Sequence, residues 1–92
     1  MSNQNKYQVY GGKGCKWCRK AEFLLEDNEL EYGYHDVEKE FGSKKSFFDQ
    51  FADRTNNKRT IPVVFVNGKF IGGYTQLEEF VVSNETLIAD DF

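Results

Sequence analysis

The chain has 92 residues and a formal net charge of -3 at pH 7. This length supports a single domain, residues 1–92. The small acidic excess argues against nucleic acid as a partner, because nucleic-acid-binding domains usually carry a basic excess or stripe. No apolar run approaches the roughly 20 residues that span a bilayer, so no membrane association is expected. The polar residues 1–6 do not resemble a secretory signal, and a cytoplasmic location is expected.

The first half of the chain predicts a strand, a helix and a second strand. Residues 6–10 alternate between apolar and polar side chains, which indicates a short strand. The glycine-rich residues 11–14 then break the pattern and predict a loop. From residue 16 to residue 27 the apolar side chains recur at helical spacing. Residues 31–37 again alternate and predict the second strand.

The middle of the chain predicts a loop followed by an aromatic helix. Residues 38–45 are polar, and we expect them to form the loop. Ser43 is a candidate N-cap of the helix that follows. The apolar stripe Phe47, Phe48 and Phe51 then predicts a helix that ends at residues 55–58 and contributes to the core.

The last third predicts a hairpin and a final helix. Residues 63–66 are continuously apolar, as in a central strand that is covered on both faces. Asn67-Gly68 is a strong hairpin signal, and residues 69–71 supply the antiparallel partner. A helix begins at about Thr75, and residues 84–92 form either another short helix or a tail. The predicted order is β-α-β-α-β-β-α, an α/β fold with a mixed sheet.

The two cysteines are the main candidates for chemistry. Cys15 and Cys18 lie where the first strand passes through a glycine-rich loop into a helix. A helix N-terminus favours an anion and so lowers the pKa of a thiol placed there. Lys13, Lys16 and Arg19 add positive charge around the pair. We expect Cys15 to be exposed and nucleophilic, with Cys18 buried one turn further along as the resolving thiol.

Structural metal binding is a weaker interpretation of the same residues. A structural zinc site normally uses four cysteine or histidine ligands. The chain offers only Cys15, Cys18 and His35, so no metal is expected. We expect His35 to be structural, because it lies in a predicted strand among aromatic residues.

Two further segments are candidate ligand contacts. Pro62 is the only proline, and taken alone it is a proline at the start of a strand. Ile61 before it should be extended, with backbone groups that can pair with a peptide-like ligand. Gly72-Gly73 followed by Thr75 resembles an anion-binding helix start. Taken alone, that segment is better explained by an ordinary loop with Thr75 as the N-cap.

Together these segments resemble the glutaredoxin family. The matching motifs, which keep the family's order and spacing from about Lys6 to Val82, are Gly14-Cys15-Lys16-Trp17-Cys18, Arg59-Thr60-Ile61-Pro62 and Ile71-Gly72-Gly73-Tyr74-Thr75-Gln76-Leu77. The resemblance implies a thioredoxin-like fold, with a mixed four-stranded sheet flanked by helices and a cis Pro62 facing the cysteines. It also implies a glutathione-dependent thiol–disulfide oxidoreductase. Disulfide-containing or glutathionylated proteins would be its partners, and we expect a monomer.

The resemblance also implies a glutathione site. The Ile61 backbone would pair with the cysteinyl part of glutathione. Gly73, Thr75 and Gln76 would hold the γ-glutamyl end, and Lys13 or Arg59 the glycyl carboxylate. The full set implied to contact glutathione is Lys13, Trp17, Arg59, Thr60, Ile61, Pro62, Gly73, Tyr74, Thr75 and Gln76.

The chain departs from the family pattern at three places. Lys16-Trp17 stands between the cysteines, where the family frequently has Pro-Tyr. Trp17 keeps an aromatic ring at the tyrosine position, and we expect this ring to form a hydrophobic lip for the ligand. Gly12 stands where the family usually has a basic residue. Gln76 stands where an acidic residue is frequent.

Two alternatives remain at this point. One is a redoxin of the same fold that is recharged by thioredoxin reductase, although Thr75 and the Lys58-Arg59 pair favour glutathione. The other is a module that binds an iron–sulfur cluster with Cys15 and glutathione, as some family members without the intervening proline do.

Overall fold

The computed structural model describes residues 5–84, and the helix or tail predicted at the end of the chain lies outside them from residue 85 onward. The elements in chain order are β1 (Tyr7–Gly11), α1 (Lys16–Asp27), β2 (Tyr32–Asp36), α2 (Val37–Phe41), α3 (Lys44–Phe51), a 3-10 turn (Ala52–Arg54), β3 (Val63–Val66), β4 (Lys69–Gly72) and α4 (Tyr74–Asn84).

The four strands form one mixed sheet in the order β2-β1-β3-β4. β1 pairs with β2 in parallel, whereas β3 is antiparallel to both of its neighbours. The Asn67-Gly68 turn joins β3 to β4, and both of its residues have positive φ angles. This is the backbone conformation that makes the Asn-Gly pair a good hairpin turn. The α/β class and the mixed four-stranded sheet are therefore confirmed.

The two faces of the sheet are covered by different helices. Tyr7, Val9, Val64 and Val66 face one core, which α1 and α4 complete with the buried residues Ala21, Leu25, Leu77 and Val81. The other core packs Val63 and Phe65 against Val37 of α2 and the three phenylalanines Phe47, Phe48 and Phe51 of α3. Because successive strand residues point to opposite faces, both sets of β3 side chains are buried. This explains the continuous apolar run of residues 63–66.

The loop predicted at residues 38–45 is wrong in its first half, because α2 begins at Val37. The Asp36 carboxylate accepts hydrogen bonds from the backbone N–H groups of Glu38 and Lys39, at 3.0 and 3.2 Å. Val37 is buried, and the Phe41 ring lies 5.2 Å from that of Phe47. The Asp36 cap and the two packed apolar residues, four positions apart, stabilise this short helix.

The predicted cap of α3 and the predicted bounds of α1 agree with the structure, whereas α3 ends at Phe51, before the predicted end at residues 55–58. The Ser43 hydroxyl accepts a hydrogen bond from the Ser46 N–H at 3.0 Å and caps α3. α1 has the predicted bounds, residues 16–27. Within residues 5–84, no helix is both long enough and apolar enough to cross a membrane.

The strand register brings the chemically interesting segments to one end of the sheet. Tyr10 of β1 lies opposite Val63 of β3, so Pro62 and Gly11 are at the same end. Val64 lies opposite Gly72, which brings the end of β4 there as well. Three segments that are distant in sequence therefore meet at this end.

Candidate active site

The cysteine pair lies at the N-terminus of α1. Cys15 is the N-cap residue, with an extended backbone, and its sulfur accepts a hydrogen bond from the Cys18 N–H at 3.2 Å. Cys15 and Cys18 are disulfide-bonded, with their Cα atoms 5.2 Å apart. Cys18 is fully buried with Ala21 and Leu25 on the inner face of the helix.

Cys15 is less exposed than the sequence predicted. It is half-buried, because it caps the helix and is bonded to the buried Cys18. It is nonetheless the more accessible of the two sulfur-bearing residues, which is the arrangement required of an attacking and a resolving thiol. The lowered pKa expected for the Cys15 thiol stays a prediction, since a disulfide sulfur does not titrate.

The end of β1 approaches Cys18 very closely. A Cβ atom added to Gly11 would lie 2.7 Å from the Cys18 sulfur and 2.6 Å from the Tyr34 hydroxyl oxygen. Only glycine leaves room for both groups. The Tyr34 hydroxyl donates a hydrogen bond to the Gly12 carbonyl at 3.3 Å. Burial, with the negative charges of Glu22 and Asp36, raises the pKa of Tyr34, so this hydroxyl keeps its proton at neutral pH.

The Ile61–Pro62 peptide bond is cis, as the family resemblance implied. Pro62 is buried, whereas Ile61 is half-buried. A Cβ atom added to Gly12 would lie 3.3 Å from the Ile61 Cδ1 atom. The segment before β3 therefore packs against the loop that precedes Cys15, and the proline faces the cysteine end of the molecule.

A groove of about 260 Å³ lies next to the cysteine pair. Its walls come from α1, the segment before β3 and the start of α4, and the residues are Trp17, Lys58, Ile61, Pro62, Gly73, Tyr74, Thr75 and Gln76. The rings of Trp17 and Tyr74 lie 5.4 Å apart and connect the two helix N-termini. Seven of the ten residues implied by the resemblance thus line one groove, while Lys13, Arg59 and Thr60 do not.

The basic residue in the groove is Lys58, which the sequence analysis named only as part of the Lys58-Arg59 pair and did not assign to a glutathione contact. The Lys58 ammonium donates hydrogen bonds to the Thr60 carbonyl and to the Thr60 hydroxyl. It is also close to Gly73, since a Cβ atom added there would lie 3.5 Å from the Lys58 Nζ atom. Burial lowers the pKa of Lys58. No sequence signal distinguished Lys58 from the neighbouring Arg59.

Arg59 does not line the groove in the structure. The Arg59 guanidinium donates a hydrogen bond to the Asp49 carboxylate at 3.0 Å and lies 5.3 Å from the centre of the Phe48 ring. A planar guanidinium suits both contacts. They hold the side chain against α3, away from the groove. Lys13, the other candidate, is exposed in the loop before Cys15.

The start of α4 also differs from the prediction. The helix begins at Tyr74, so Thr75 lies in its first turn and is not the N-cap. The Gly73 carbonyl accepts a hydrogen bond from the Leu77 N–H at 3.0 Å. In turn, the Gln76 side-chain oxygen accepts one from the Gly73 N–H at 2.9 Å. Gln76 therefore caps the helix that the sequence analysis expected Thr75 to cap, and it keeps its NH₂ group for a ligand.

His35 has a structural environment, as expected. Its ring stacks on that of Tyr10, with centroids 4.4 Å apart, and contacts the side chains of Gln8 and Glu40. Among residues 5–84, no three or more cysteine, histidine or acidic side chains are grouped as metal ligands would be.

Comparisons with known proteins point to one family. The family model for glutaredoxin matches residues 7–71. The chain is 32% identical over 81 residues to Glutaredoxin 1 of Escherichia coli, covering 83% of this chain and 92% of that protein. It is 31% identical over 74 residues to the mitochondrial Glutaredoxin-2 of Bos taurus, covering 79% of this chain but 45% of that protein.

Solved structures agree on the fold. A buckwheat glutaredoxin–glutathione complex superposes with a TM-score of 0.76 at 23% identity, covering 91% of this chain and 74% of that one.

Proposed function

The chain belongs to the glutaredoxin family of oxidoreductases, and we propose that it reduces glutathione mixed disulfides and protein disulfides at the expense of glutathione. The observation that carries this proposal is the groove beside Cys15, which joins a cis-proline segment, a lysine ammonium and a helix N-terminus. The buckwheat relative, which has the same fold, was crystallised with glutathione.

Reduction of a glutathione mixed disulfide needs only Cys15. Its thiolate attacks the glutathionyl sulfur, a Cys15–glutathione disulfide forms, and the target thiolate leaves and takes a proton. The thiolate of a second glutathione then attacks the glutathionyl sulfur, which releases oxidised glutathione and restores the Cys15 thiolate. One glutathione thiol is consumed and one target thiol is formed in each cycle, because the glutathionyl sulfur of the mixed disulfide becomes the other half of oxidised glutathione. The proton that the second glutathione loses balances the proton that the target thiolate takes.

Reduction of a protein disulfide uses both cysteines. The Cys15 thiolate attacks one sulfur of the target disulfide and forms a mixed disulfide with it, and the other target sulfur leaves as a thiolate and takes a proton. The Cys18 thiol then loses its proton, attacks Cys15, and expels the second target thiol. The product is the Cys15–Cys18 disulfide, the state seen in the structure. Two glutathione molecules return the pair to the dithiol.

Glutathione carries two carboxylates, and the groove offers one attractive group for each. The N-terminal N–H groups and the dipole of α4 favour an anion at Tyr74 and Thr75. We assign the γ-glutamyl end to this place, with the Gln76 NH₂ group as a further donor.

We assign the glycyl carboxylate to Lys58, which replaces the expected Lys13 or Arg59. An ammonium has three N–H donors, and among the described residues Thr60 accepts from two of them. The third is thus available to a ligand carboxylate. The cysteinyl part would then lie along the Ile61 backbone, with its sulfur towards Cys15.

The test is a pair of coupled assays on the same protein. One follows glutathione-dependent reduction of a glutathionylated peptide, and the other follows disulfide reduction driven by thioredoxin reductase. We expect turnover with glutathione and its complete loss in Cys15→Ser. Turnover with the reductase alone would instead establish the alternative redoxin, and visible absorbance in protein purified without oxygen would favour the iron–sulfur alternative. We further propose that the protein acts as a monomer in the cytoplasm, where glutathione keeps dithiols reduced.

A further inference from the structure

The outer face of α1 presents cations and aromatic rings beside the cysteine pair. Lys16, Arg19 and Lys20 are exposed. The two aromatic residues Trp17 and Phe23 are each 51% exposed, which is unusual for rings of this size. We call these five residues the α1 patch.

The side chains of the α1 patch form one continuous surface. The Lys20 ammonium lies 5.0 Å from the centre of the Trp17 ring. The Arg19 guanidinium lies 5.4 Å from the centre of the Phe23 ring. Residues three or four positions apart are neighbours on a helix, so each cation lies over the ring next to it. In the α1 patch, a positively charged group therefore lies over each of the two exposed aromatic rings.

The stability of the fold does not explain the α1 patch. The first turn of α1 contains no acidic residue. Cations near a helix N-terminus oppose the helix dipole. Within residues 5–84, none of the three cations has a carboxylate within 4.0 Å, whereas Lys45 and Arg59 both pair with Asp49. Exposed aromatic rings next to an arginine are typical of an intermolecular contact surface.

We propose that the α1 patch docks an acidic segment of the protein substrate, next to the disulfide that Cys15 attacks. This proposal rests on the proposed function. The N-cap position of Cys15 means that a substrate bonded there lies at the start of the patch. Carboxylates on the substrate would complement the three cations, and an aromatic or aliphatic side chain would cover Phe23.

The length of the α1 patch determines how many substrate residues can lie along it. Phe23 lies eight residues beyond Cys15, and a helix rises about 1.5 Å per residue, so the patch extends about 12 Å. An extended peptide covers that distance in about four residues. The substrate should therefore carry two or more acidic residues and one large apolar residue within about four positions of its reactive cysteine.

The experiment compares three glutathionylated peptides that differ only at those four positions. One carries aspartates and a phenylalanine, the second replaces the aspartates with asparagines, and the third replaces them with lysines. We expect kcat/KM to be highest for the acidic peptide, by about fivefold or more over the neutral one at low salt. High salt should reduce this ratio, because exposed charges are screened.

The variants are chosen outside the glutathione groove. Lys20→Gln should reduce the acidic preference by about two- to fivefold, which is the range for one exposed ion pair. Lys20→Glu should move the preference towards the lysine peptide. Phe23→Ala should lower kcat/KM for all three peptides and leave unchanged that of a fourth peptide in which alanine replaces the phenylalanine. The matched control is Lys69→Gln, an exposed lysine of β4 at the opposite end of the sheet.

Docking can also be measured without turnover. Trp17 is the only tryptophan, so its fluorescence reports on the α1 patch when an acidic peptide without cysteine is titrated. Saturable quenching that Lys20→Glu weakens supports docking even if the glutathione assay is negative. Equal kcat/KM for the three peptides, with no quenching, would overturn the proposal. So would quenching by a single-stranded DNA oligonucleotide but not by the acidic peptide, since the patch would then bind nucleic acid.

Discussion

Replacing Lys58 with glutamine removes the ammonium that lines the groove and keeps a side chain of similar length. Its charge is close to Gly73 at the start of α4, and Thr60 holds it in place. A hydrogen bond to a charged group contributes about 1.5–3 kcal/mol. The groove is open to solvent, so we use the lower end of that range. One factor of ten corresponds to about 1.4 kcal/mol, and the KM for glutathione should therefore rise about tenfold.

The matched control is Arg59→Gln. It removes the same charge from the next residue, but that charge is paired with Asp49 on α3. We expect the KM for glutathione to change by less than about twofold. Because the carboxylate assigned to Lys58 is not a reacting group of glutathione, kcat should change little in either variant. If Arg59→Gln raises KM and Lys58→Gln does not, the assignment of the glycyl carboxylate to Lys58 is incorrect.

The pH dependence of binding gives a second measurement on the same residue. S-methylglutathione lacks the thiol, and its binding can be followed by calorimetry. The Lys58 ammonium attracts a carboxylate below its pKa, and the attraction is lost as pH rises through that pKa. In the protein without ligand, burial lowers the pKa of Lys58 below the ordinary lysine value of 10.5. The loss of binding should therefore begin below the pH at which an ordinary lysine titrates. Lys58→Arg should retain binding over this range, because a guanidinium stays charged.

Three other variants test separate parts of the structure. Cys18→Ser should keep the reduction of glutathionylated peptides and lose the two-cysteine reduction of protein disulfides; loss of both would show that Cys18 has another role. Phe47→Ala should lower the free energy of unfolding by about 3–5 kcal/mol, because the ring is fully buried between those of Tyr10 and Phe51. A loss below about 1 kcal/mol in urea denaturation would contradict this. Burial and the nearby Glu26 and Glu22 raise the pKa of Tyr32 well above 10.0, so its contribution to stability is complete below pH 10 and is lost above it. The free energy of unfolding of Tyr32→Phe should therefore fall less steeply with rising pH than that of the unchanged protein, as measured by urea denaturation at a series of alkaline pH values. An equal pH dependence in the two proteins would refute this role of Tyr32.

Local sequence patterns were sufficient for most of the fold. The helical spacing of apolar residues predicted α1 over residues 16–27, and the Asn67-Gly68 pair predicted the hairpin. These signals come from residues close together in the chain, and tertiary packing agrees with them. The helix α2 was missed because its five residues show little periodicity. Its one clear signal is the cap residue Asp36, which also ends β2.

The sequence predicted where the main chain of the site lies, but not which side chains enter the groove. Motif order located the cysteines, the cis proline and the glycine pair before α4, because these are positions of the main chain. Which of Lys58 and Arg59 enters the groove depends instead on side-chain partners elsewhere. Asp49 and Phe48 hold Arg59, and both belong to α3, a helix with no sequence link to the glutathione motif. Similarly, the Gln76 cap of Gly73 depends on where α4 begins, and helix ends are poorly determined by local sequence.

Trp17 connects the two binding surfaces inferred for this protein. Its ring contacts Tyr74 in the groove, and the Lys20 ammonium lies over the same ring on the outer face of α1. The family's frequent tyrosine would also supply a ring at this position, but an indole is larger and attracts cations more strongly. Lys16 before it replaces a proline with a flexible cation. The two departures from the family pattern between the cysteines therefore have one physical consequence, a more basic and more aromatic surface beside Cys15. In the two proposals made above, that surface affects which protein reaches the sulfur, and the groove determines which thiol regenerates it.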